Sequence, residues 1–234
     1  MNKKNWFVSL ITNSLIGVML LFLAMISFSG GVRAVFNPNS ELVIYHGNVL
    51  ERNISLMINV YWGNEYLPSM LTTLQKHNVK TTFFVGGSWV SKFPEDFLSI
   101  FNSGHEIGNH GFFHKNHDKL SLADNQKEIL NTHKLIKEYT GLNMTLFAPP
   151  SGAFNLDTIK AATDNNYKVI MWTRDTIDWR DKDADVIYNR AIKNMAGGDL
   201  ILMHPTAATS RALEQILCYC EANNFGVVPV SNCI

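Results

Sequence analysis

The stretch SLMINVYWGNEYLP, residues 55–68, places an apolar run directly before an aromatic pair and a glycine. Residues 56–60 are apolar except for Asn59, which is typical of a parallel strand buried on both faces. Residues 65–77 then have the spacing of an amphipathic helix. The stretch therefore predicts a strand, a turn and a helix in succession, the repeating unit of a parallel α/β fold.

The same alternation continues to the end of the chain. Further predicted strands cover residues 81–85, 106–109, 144–148, 168–172, 200–203 and 226–230, and further predicted helices cover residues 94–103, 121–139, 156–165, 184–195 and 210–224. The helix of residues 121–139 is the clearest, because Ser121 suits an N-cap and Gly141 suits a C-cap. Strands that alternate with helices predict a parallel α/β architecture, either an incomplete barrel or an open doubly wound sheet.

The first 35 residues differ from the rest of the chain. Lys3 and Lys4 precede a run, residues 7–28, that contains no charged residue and is long enough to cross a bilayer. Val32 and Ala34 fit a weak cleavage rule, but the run is longer than a usual signal peptide core. We therefore expect a membrane anchor, with a cleaved signal as the alternative, and a single domain at residues 36–234 that faces the outside or is secreted to the cell wall.

Charge and cysteine content exclude two classes of function. Basic and acidic residues are equal in number, 20 of each, so no charge imbalance points to nucleic acid. Cys218, Cys220 and Cys233 are an odd number of cysteines near the end of the chain, so we expect buried thiols and no disulfide framework. Two cysteines two residues apart on a predicted helix point to different faces, and no metal role is expected for them.

Polar and aromatic residues gather just after the predicted strands. They are Tyr61 and Trp62, the cluster of residues 105–117, residues 149–152, residues 175–179 and His204. In a barrel of parallel strands these positions share one edge, where the active sites of such barrels lie. The sequence therefore predicts a functional site at the carboxyl ends of the strands.

Five motifs in this arrangement resemble those of the polysaccharide deacetylase family, also called the NodB-homology family or carbohydrate esterase family four. They are HNVKTTFFVGG (residues 77–87), GHEIGNHGFFH (104–114), APPSGAFN (148–155), WTRDTIDW (172–179) and LILMH (200–204). The resemblance covers nearly all of the chain after residue 35 and implies a distorted, incomplete (β/α)7 barrel. The NEYLP segment after Gly63 resembles the sporulation-associated branch of this family.

The resemblance also implies a reaction and a set of residues. The family hydrolyses the acetamide of N-acetylated sugars with a divalent metal, zinc or another first-row ion, held by one Asp and two His; a second Asp is the base, and a His protonates the leaving amine. By position in the motifs, His110 and His114 match the metal ligands, His204 matches the catalytic acid, Asp175 or Asp178 matches its carboxylate partner, and Trp179, Leu202 and Pro150 match the substrate-binding wall.

The first motif departs from the family. The family has Thr-Phe-Asp-Asp-Gly where residues 59–63 read Asn-Val-Tyr-Trp-Gly, so Tyr61 and Trp62 replace both carboxylates. Trp cannot ligate a metal, and a phenol with a reference pKa of about 10 is a poor base near neutrality. Ala148 also replaces the Arg that would orient the base, and Ser151 replaces a Tyr. Metal binding is expected to be weak or absent.

Any metal here must recruit a third ligand, and Glu65, His105 and His117 are the nearby candidates. Tyr61 and Trp62 are either core aromatics or a platform on which sugar rings stack.

Three functions stay open. The favoured one is a membrane-tethered or exported protein that binds N-acetylated glycan such as peptidoglycan, with lost or strongly reduced hydrolysis. The second is an active metal-dependent deacetylase that uses Glu65 or Asp175 as an unusual base. The third is a membrane-tethered scaffold whose former sugar groove binds a protein.

Overall fold

The computed structural model describes residue 19 and residues 42–234, and every structural statement below refers to these residues. The predicted anchor or signal, residues 1–35, lies almost entirely outside them. Within the described part of the chain, no helix is both long enough and apolar enough to span a bilayer.

Nine strands form one parallel sheet in the described residues. They are β1 (Val43–Ile44), β2 (Asn53–Val60), β3 (Thr82–Val85), β4 (Glu106–Asn109), β5 (Leu146–Phe147), β6 (Lys168–Ile170), β7 (Arg174–Asp175), β8 (Leu200–Met203) and β9 (Gly226–Val227). Their order is β1-β6-β5-β4-β3-β2-β8-β7, and β9 pairs with β2 outside this path. The two end strands, β1 and β7, do not pair, so the barrel is incomplete as predicted, but it contains nine strands in the described residues rather than seven.

Eight α-helices connect or follow the strands in the described region. They are α1 (Leu67–Lys76), α2 (Gly87–Lys92), α3 (Pro94–Asn102), α4 (Leu122–Thr140), α5 (Leu156–Thr163), α6 (Ala184–Ile192), α7 (Ala207–Ala222) and α8 (Val230–Cys233). The caps of α4 are as predicted, since the Ser121 side chain accepts a hydrogen bond from the Asp124 amide and Gly141 adopts φ 74°.

Both faces of the sheet are buried, which explains the continuous apolar runs. Alternate side chains of β2, such as Ile58 and Val60, enter the larger core cluster with the helices. Met57 points to the opposite face and joins a smaller cluster that contains Phe84 and Val230. An apolar strand of this kind has no solvent-facing side, so its only functional positions are at its ends.

Some elements were not predicted, and several predicted elements have other bounds in the structure. The short strands β1 and β7 and the helix α2 were not predicted. The last predicted strand, residues 226–230, ends at Val227, because Pro229 begins a turn into α8 and the Val230 amide donates to Thr82 Oγ1 at 2.7 Å.

Candidate functional site

A cavity of about 360 Å³ opens at the carboxyl ends of the strands. Its described lining consists of Asn59, Tyr61, Trp62, His110, His114, Ser151, Gly152, Trp172, Asp175, Trp179, Leu202 and His204. These residues follow or end six different strands, so the sheet itself brings them together. The volume lies in the range of small-molecule and sugar sites.

The corner after β2 forms one wall of the cavity. The Tyr61 hydroxyl shares a hydrogen bond of 2.7 Å with Ser88 Oγ, and its ring lies 4.9 Å from the ring of His114. The Trp62 ring stacks on His204 with a centroid distance of 5.8 Å and an interplanar angle of 8°. Gly63 permits this turn, because it has φ 82° and a Cβ there would lie 2.0 Å from the Pro205 carbonyl oxygen.

His110 and His114 come together as predicted, with their ring centroids 5.0 Å apart, but no helix positions them. His110 directly follows β4, and the chain reaches His114 through a loop in which Gly111 has φ 71° and His114 itself has φ 54°. His110 Nδ1–H donates to the Ala148 carbonyl oxygen at 2.7 Å, which leaves Nε2 free. Burial lowers the pKa of His110 well below 6.5, and it also lowers the pKa of His114, so both rings are neutral.

His204 is held by a buried carboxylate on the opposite side of the cavity. Asp178 accepts from His204 Nδ1 at 2.8 Å, from the His204 amide at 2.6 Å and from the hydroxyl of Thr209. The motifs allowed either Asp175 or Asp178 as the carboxylate partner of His204, and the structure shows that it is Asp178. Asp178 orients the His204 ring but does not line the cavity. Asp175 lines the cavity instead, and its Oδ1 accepts from the Ile177 amide at 2.8 Å.

Pro150 is not on the cavity wall, contrary to the sequence prediction. It is buried, close to the position that a Cβ of Gly111 would take. By contrast, Trp62, Trp179 and Leu202 line the cavity, and both Trp side chains are exposed.

None of the three candidate third ligands lies in the cavity. His105 precedes β4, whereas His110 follows it, so the two lie at opposite edges of the sheet. His117 is buried and its Nδ1 is 2.6 Å from Asn125 Oδ1. Glu65 lines a neighbouring cavity of about 660 Å³, which shares Trp62 and Trp179 with the first.

The cavity does not fit the three-ligand metal centre that the family resemblance implies. His110 and His114 supply two nitrogen ligands, but in the described residues no third Asp, Glu, His or Cys ligand atom meets them within 4.8 Å. The position of the family's Asp ligand holds the Trp62 indole. Catalytic zinc generally has three protein ligands, so the expected two-His metal would be held weakly or not at all.

The predicted segment of residues 149–152 contributes Ser151 and Gly152 to the lining, whereas Asn59 and Trp172 were not predicted as site residues. Asn59 could have been identified from the sequence, because it is the single polar residue in the apolar run of residues 56–60. Its Oδ1 is buried and has no hydrogen-bond partner among the described residues. An orphaned acceptor in a cavity wall is suited to a ligand that brings a donor.

Comparison with known proteins agrees with this architecture. Residues 46–170, more than half of the chain, match the model of the polysaccharide deacetylase family, and the chain belongs to that family. It is 40% identical over 174 residues to the uncharacterized protein YlxY of Bacillus subtilis, which covers 74% of this chain and 54% of YlxY. It is 36% identical over 142 residues to a peptidoglycan-N-acetylglucosamine deacetylase of Bacillus cereus, covering 61% of this chain and 52% of that enzyme. The chain thus spans about half the length of these curated relatives.

Among solved structures, the fold is similar to that of BA3943 from Bacillus anthracis, described as a pseudoenzyme of the CE4 family. The TM-score is 0.81 at 36% identity, over 83% of this chain and 69% of that one. A mutant of BA3943 is described as having restored enzymatic activity, and it matches with a TM-score of 0.81 at 35% identity, over 83% of this chain and 71% of the mutant.

Proposed function

We propose that this protein binds N-acetylated cell-wall glycan in the cavity and hydrolyses it poorly or not at all. The observation that carries the proposal is the position of the two replacing aromatics. The Tyr61 ring lies against His114, and the Trp62 ring stacks on His204. One ring therefore covers a would-be metal ligand, and the other covers the would-be proton donor.

The same aromatics favour sugar binding. Trp62 and Trp179 are 43% and 57% exposed at the cavity mouth, and both also line the neighbouring cavity. Exposed indole rings that line two neighbouring cavities suit the apolar faces of successive sugar rings.

Asn59 suits the acetamido group in particular. An acetamido N–H would give its buried Oδ1 the donor that the described residues do not supply. A free-amine sugar would bring a charged ammonium to this buried position, which is costly to desolvate, so the site favours the neutral N-acetylated form.

The relatives guide the choice of glycan. One of them is named for peptidoglycan N-acetylglucosamine, so we propose peptidoglycan as the natural ligand. We also propose that residues 1–35 hold the binding domain on the outer side of the membrane, where that glycan lies.

Binding of matched oligosaccharides tests the proposal. The full-length chain in detergent micelles is titrated calorimetrically with a tetramer of N-acetylglucosamine and, as the control, with the corresponding glucosamine tetramer. The acetylated tetramer should bind and the control should not. An Asn59→Leu variant, similar in size, should bind the acetylated tetramer at least about fivefold more weakly than the wild type. Equal binding of the two tetramers contradicts the proposal.

One observation favours residual deacetylase activity as the second candidate. Asp175 carries the only carboxylate among the described residues that line the cavity, and one of its oxygens is not used by Ile177. If Asp175 acts as a base, an Asp175→Asn variant will lose acetate release while it keeps the acceptor for the Ile177 amide. Undetectable acetate release by the wild-type chain excludes this candidate.

A further inference from the structure

A second group of potential ligands lies outside the cavity, where the end of α1 meets α7. Glu214, Cys218 and Glu221 are four and three residues apart on α7 and therefore share one helix face. His77, the residue that ends α1, lies against this face. The ligand atoms of His77, Glu214 and Cys218 all lie within 4.8 Å of one another.

The imidazole of His77 is oriented toward the other two ligands. Its Nδ1 lies 2.6 Å from Glu221 Oε1, to which it donates. Its Nε2 lies 3.1 Å from Glu214 Oε1, but the contact lacks hydrogen-bond geometry and this buried nitrogen has no hydrogen-bond partner among the described residues. The His77 side chain is only 7% exposed. This buried nitrogen lies beside a carboxylate without a hydrogen bond, so a proton or a metal ion between the two atoms would be stabilised.

We propose that His77 Nε2, a Glu214 carboxylate oxygen and the Cys218 thiolate form a binding site for a divalent metal of the zinc class. Three protein ligands leave a fourth position for water. With zinc–nitrogen and zinc–oxygen bonds near 2.0–2.1 Å, a tetrahedral site separates its ligand atoms by about 3.3 Å. The observed 3.1 Å between Nε2 and Oε1 is close to this value.

The donor set selects the kind of metal. One thiolate, one imidazole and one carboxylate suit zinc and its neighbours in the first row, whereas magnesium and calcium prefer oxygen ligands alone. Glu221 completes the carboxylate–histidine–metal arrangement that fixes the imidazole in metal sites. Cys218 is a free, exposed thiol, contrary to the buried thiol that the sequence predicted.

The site would join two helices that already touch. Ser69 Oγ on α1 and Ser210 Oγ on α7 are 2.7 Å apart, so the ligands are held near each other before any metal binds. α1 begins four residues after Gly63, the end of the aromatic corner. A bound metal therefore fixes the helix that follows the cavity wall, without being part of the cavity.

Lys76 opposes metal binding and makes the proposal easy to test. Its Nζ lies 2.6 Å from the same Glu214 Oε1 that would ligate the metal. A cation there competes for the oxygen and repels the metal. Removal of this one charge should therefore strengthen binding, which is the opposite of what loss of a ligand does.

Cobalt(II) is a suitable reporter, because a thiolate ligand gives it a charge-transfer absorption in the near ultraviolet. The full-length chain, reduced and in detergent micelles, is titrated with CoCl₂. One equivalent should produce the band, and ZnCl₂ should displace it. The other two thiols should not bind cobalt, since burial raises the pKa of Cys220 to about 12 and that of Cys233 to about 11 and so keeps both protonated.

Four variants assign the signal. Cys218→Ser should abolish the band, while Cys220→Ser, on the same helix, should keep it. Glu221→Ala should weaken cobalt binding by about 10- to 100-fold, as loss of a partner of a ligating His does. Lys76→Gln should tighten it by up to about fivefold.

Thermal unfolding checks that each variant folds and supplies a second readout. ZnCl₂ should raise the Tm of the wild-type chain and of Cys220→Ser, but not that of Cys218→Ser. The proposal is overturned by absence of the band, by a band that persists in Cys218→Ser, or by a Lys76→Gln variant that binds cobalt more weakly than the wild type.

Discussion

The two sides of the cavity differ in what their polar groups do for the fold. On the β8 side, Asp178 is buried and accepts three hydrogen bonds, two from His204 and one from Thr209. On the β2 side, Trp62 occupies an exposed corner position, 43% accessible, where the family has an Asp. A buried, fully bonded group is costly to change, whereas an exposed corner residue is not. The network of Asp178, His204 and Thr209, which also stabilises the fold, is therefore present. The two carboxylates that the family has at the exposed corner after β2 are absent.

Rebuilding the β2 side should produce the largest effect. A Tyr61→Asp, Trp62→Asp, Ala148→Arg variant regains the base, the metal ligand and the orienting Arg that the family resemblance assigns to these positions. With zinc added, its release of acetate from a tetramer of N-acetylglucosamine should exceed that of the wild type at least about 100-fold. The acetate is measured enzymatically.

The same rebuilt variant with His110→Ala is the matched control, and it should return to the wild-type rate. If the rebuilt chain folds but stays inactive, the residues on the β8 side cannot support hydrolysis. The claim that only the β2 side of the active site has been lost would then be wrong.

Removal of Asp178 should have the next largest effect, on stability. Asp178→Ala leaves the His204 amide, the His204 Nδ1–H and the Thr209 hydroxyl without their acceptor in a buried position. We expect the free energy of unfolding to fall by about 3 kcal/mol, against about 1 kcal/mol for His204→Ala, which leaves Asp178 two donors. Urea unfolding measures both; equal losses would mean that Asp178 has no special structural role.

Acid should destabilise the protein through the buried imidazoles. Burial lowers the pKa of His110 well below its unfolded value of 6.5, so below that pH the unfolded chain binds a proton that the folded chain does not. Stability therefore falls as pH drops below 6.5, with a limiting slope of about 1.4 kcal/mol per pH unit for one proton. His110→Gln should lose this part of the slope in urea unfolding. An unchanged slope would mean that His110 is not held neutral.

The sequence predicted most of the fold because buried parallel strands are nearly all apolar. The bounds of β4 and β8 match the prediction, and β2 is longer only at its first end. By contrast, β7 is the polar pair Arg174–Asp175, and α2 begins at Gly87, so neither carries the pattern of its class. The secondary structure of such segments depends on the strands and helices that they pack against, which the local sequence pattern does not show.

For the site, the order of the motifs predicted which residues lie at one edge of the sheet. It did not predict the geometry in which they meet. His110 and His114 are four residues apart, and two left-handed residues in a loop, rather than a helix, bring their rings together. Pro150 belongs to a cavity motif but is buried away from the cavity lining, because a motif does not specify which face a side chain takes. His77 and Cys218 are 141 residues apart in the chain, and only the packing of α1 on α7 makes them neighbours.

Trp62 should matter more for sugar binding than an equally exposed aromatic elsewhere. Trp62→Ala should weaken the binding of the N-acetylglucosamine tetramer about fivefold, which corresponds to about 1 kcal/mol. Tyr139 on α4 has the same exposure, 43%, and lies outside the cavity lining, so Tyr139→Ala is a matched control. Equal effects of the two changes would mean that the aromatic corner has no particular role in glycan recognition.

The most direct test of the central claim measures binding and hydrolysis on one sample after removal of metal. The full-length chain is dialysed against EDTA, titrated with the N-acetylglucosamine tetramer, and assayed for released acetate before and after addition of zinc. We predict that binding is unchanged by EDTA and that no acetate appears in either state, whether or not zinc occupies the site of His77 and Cys218. Acetate that appears only with zinc, and disappears in His110→Ala, would show that the cavity is a working deacetylase and would contradict this account.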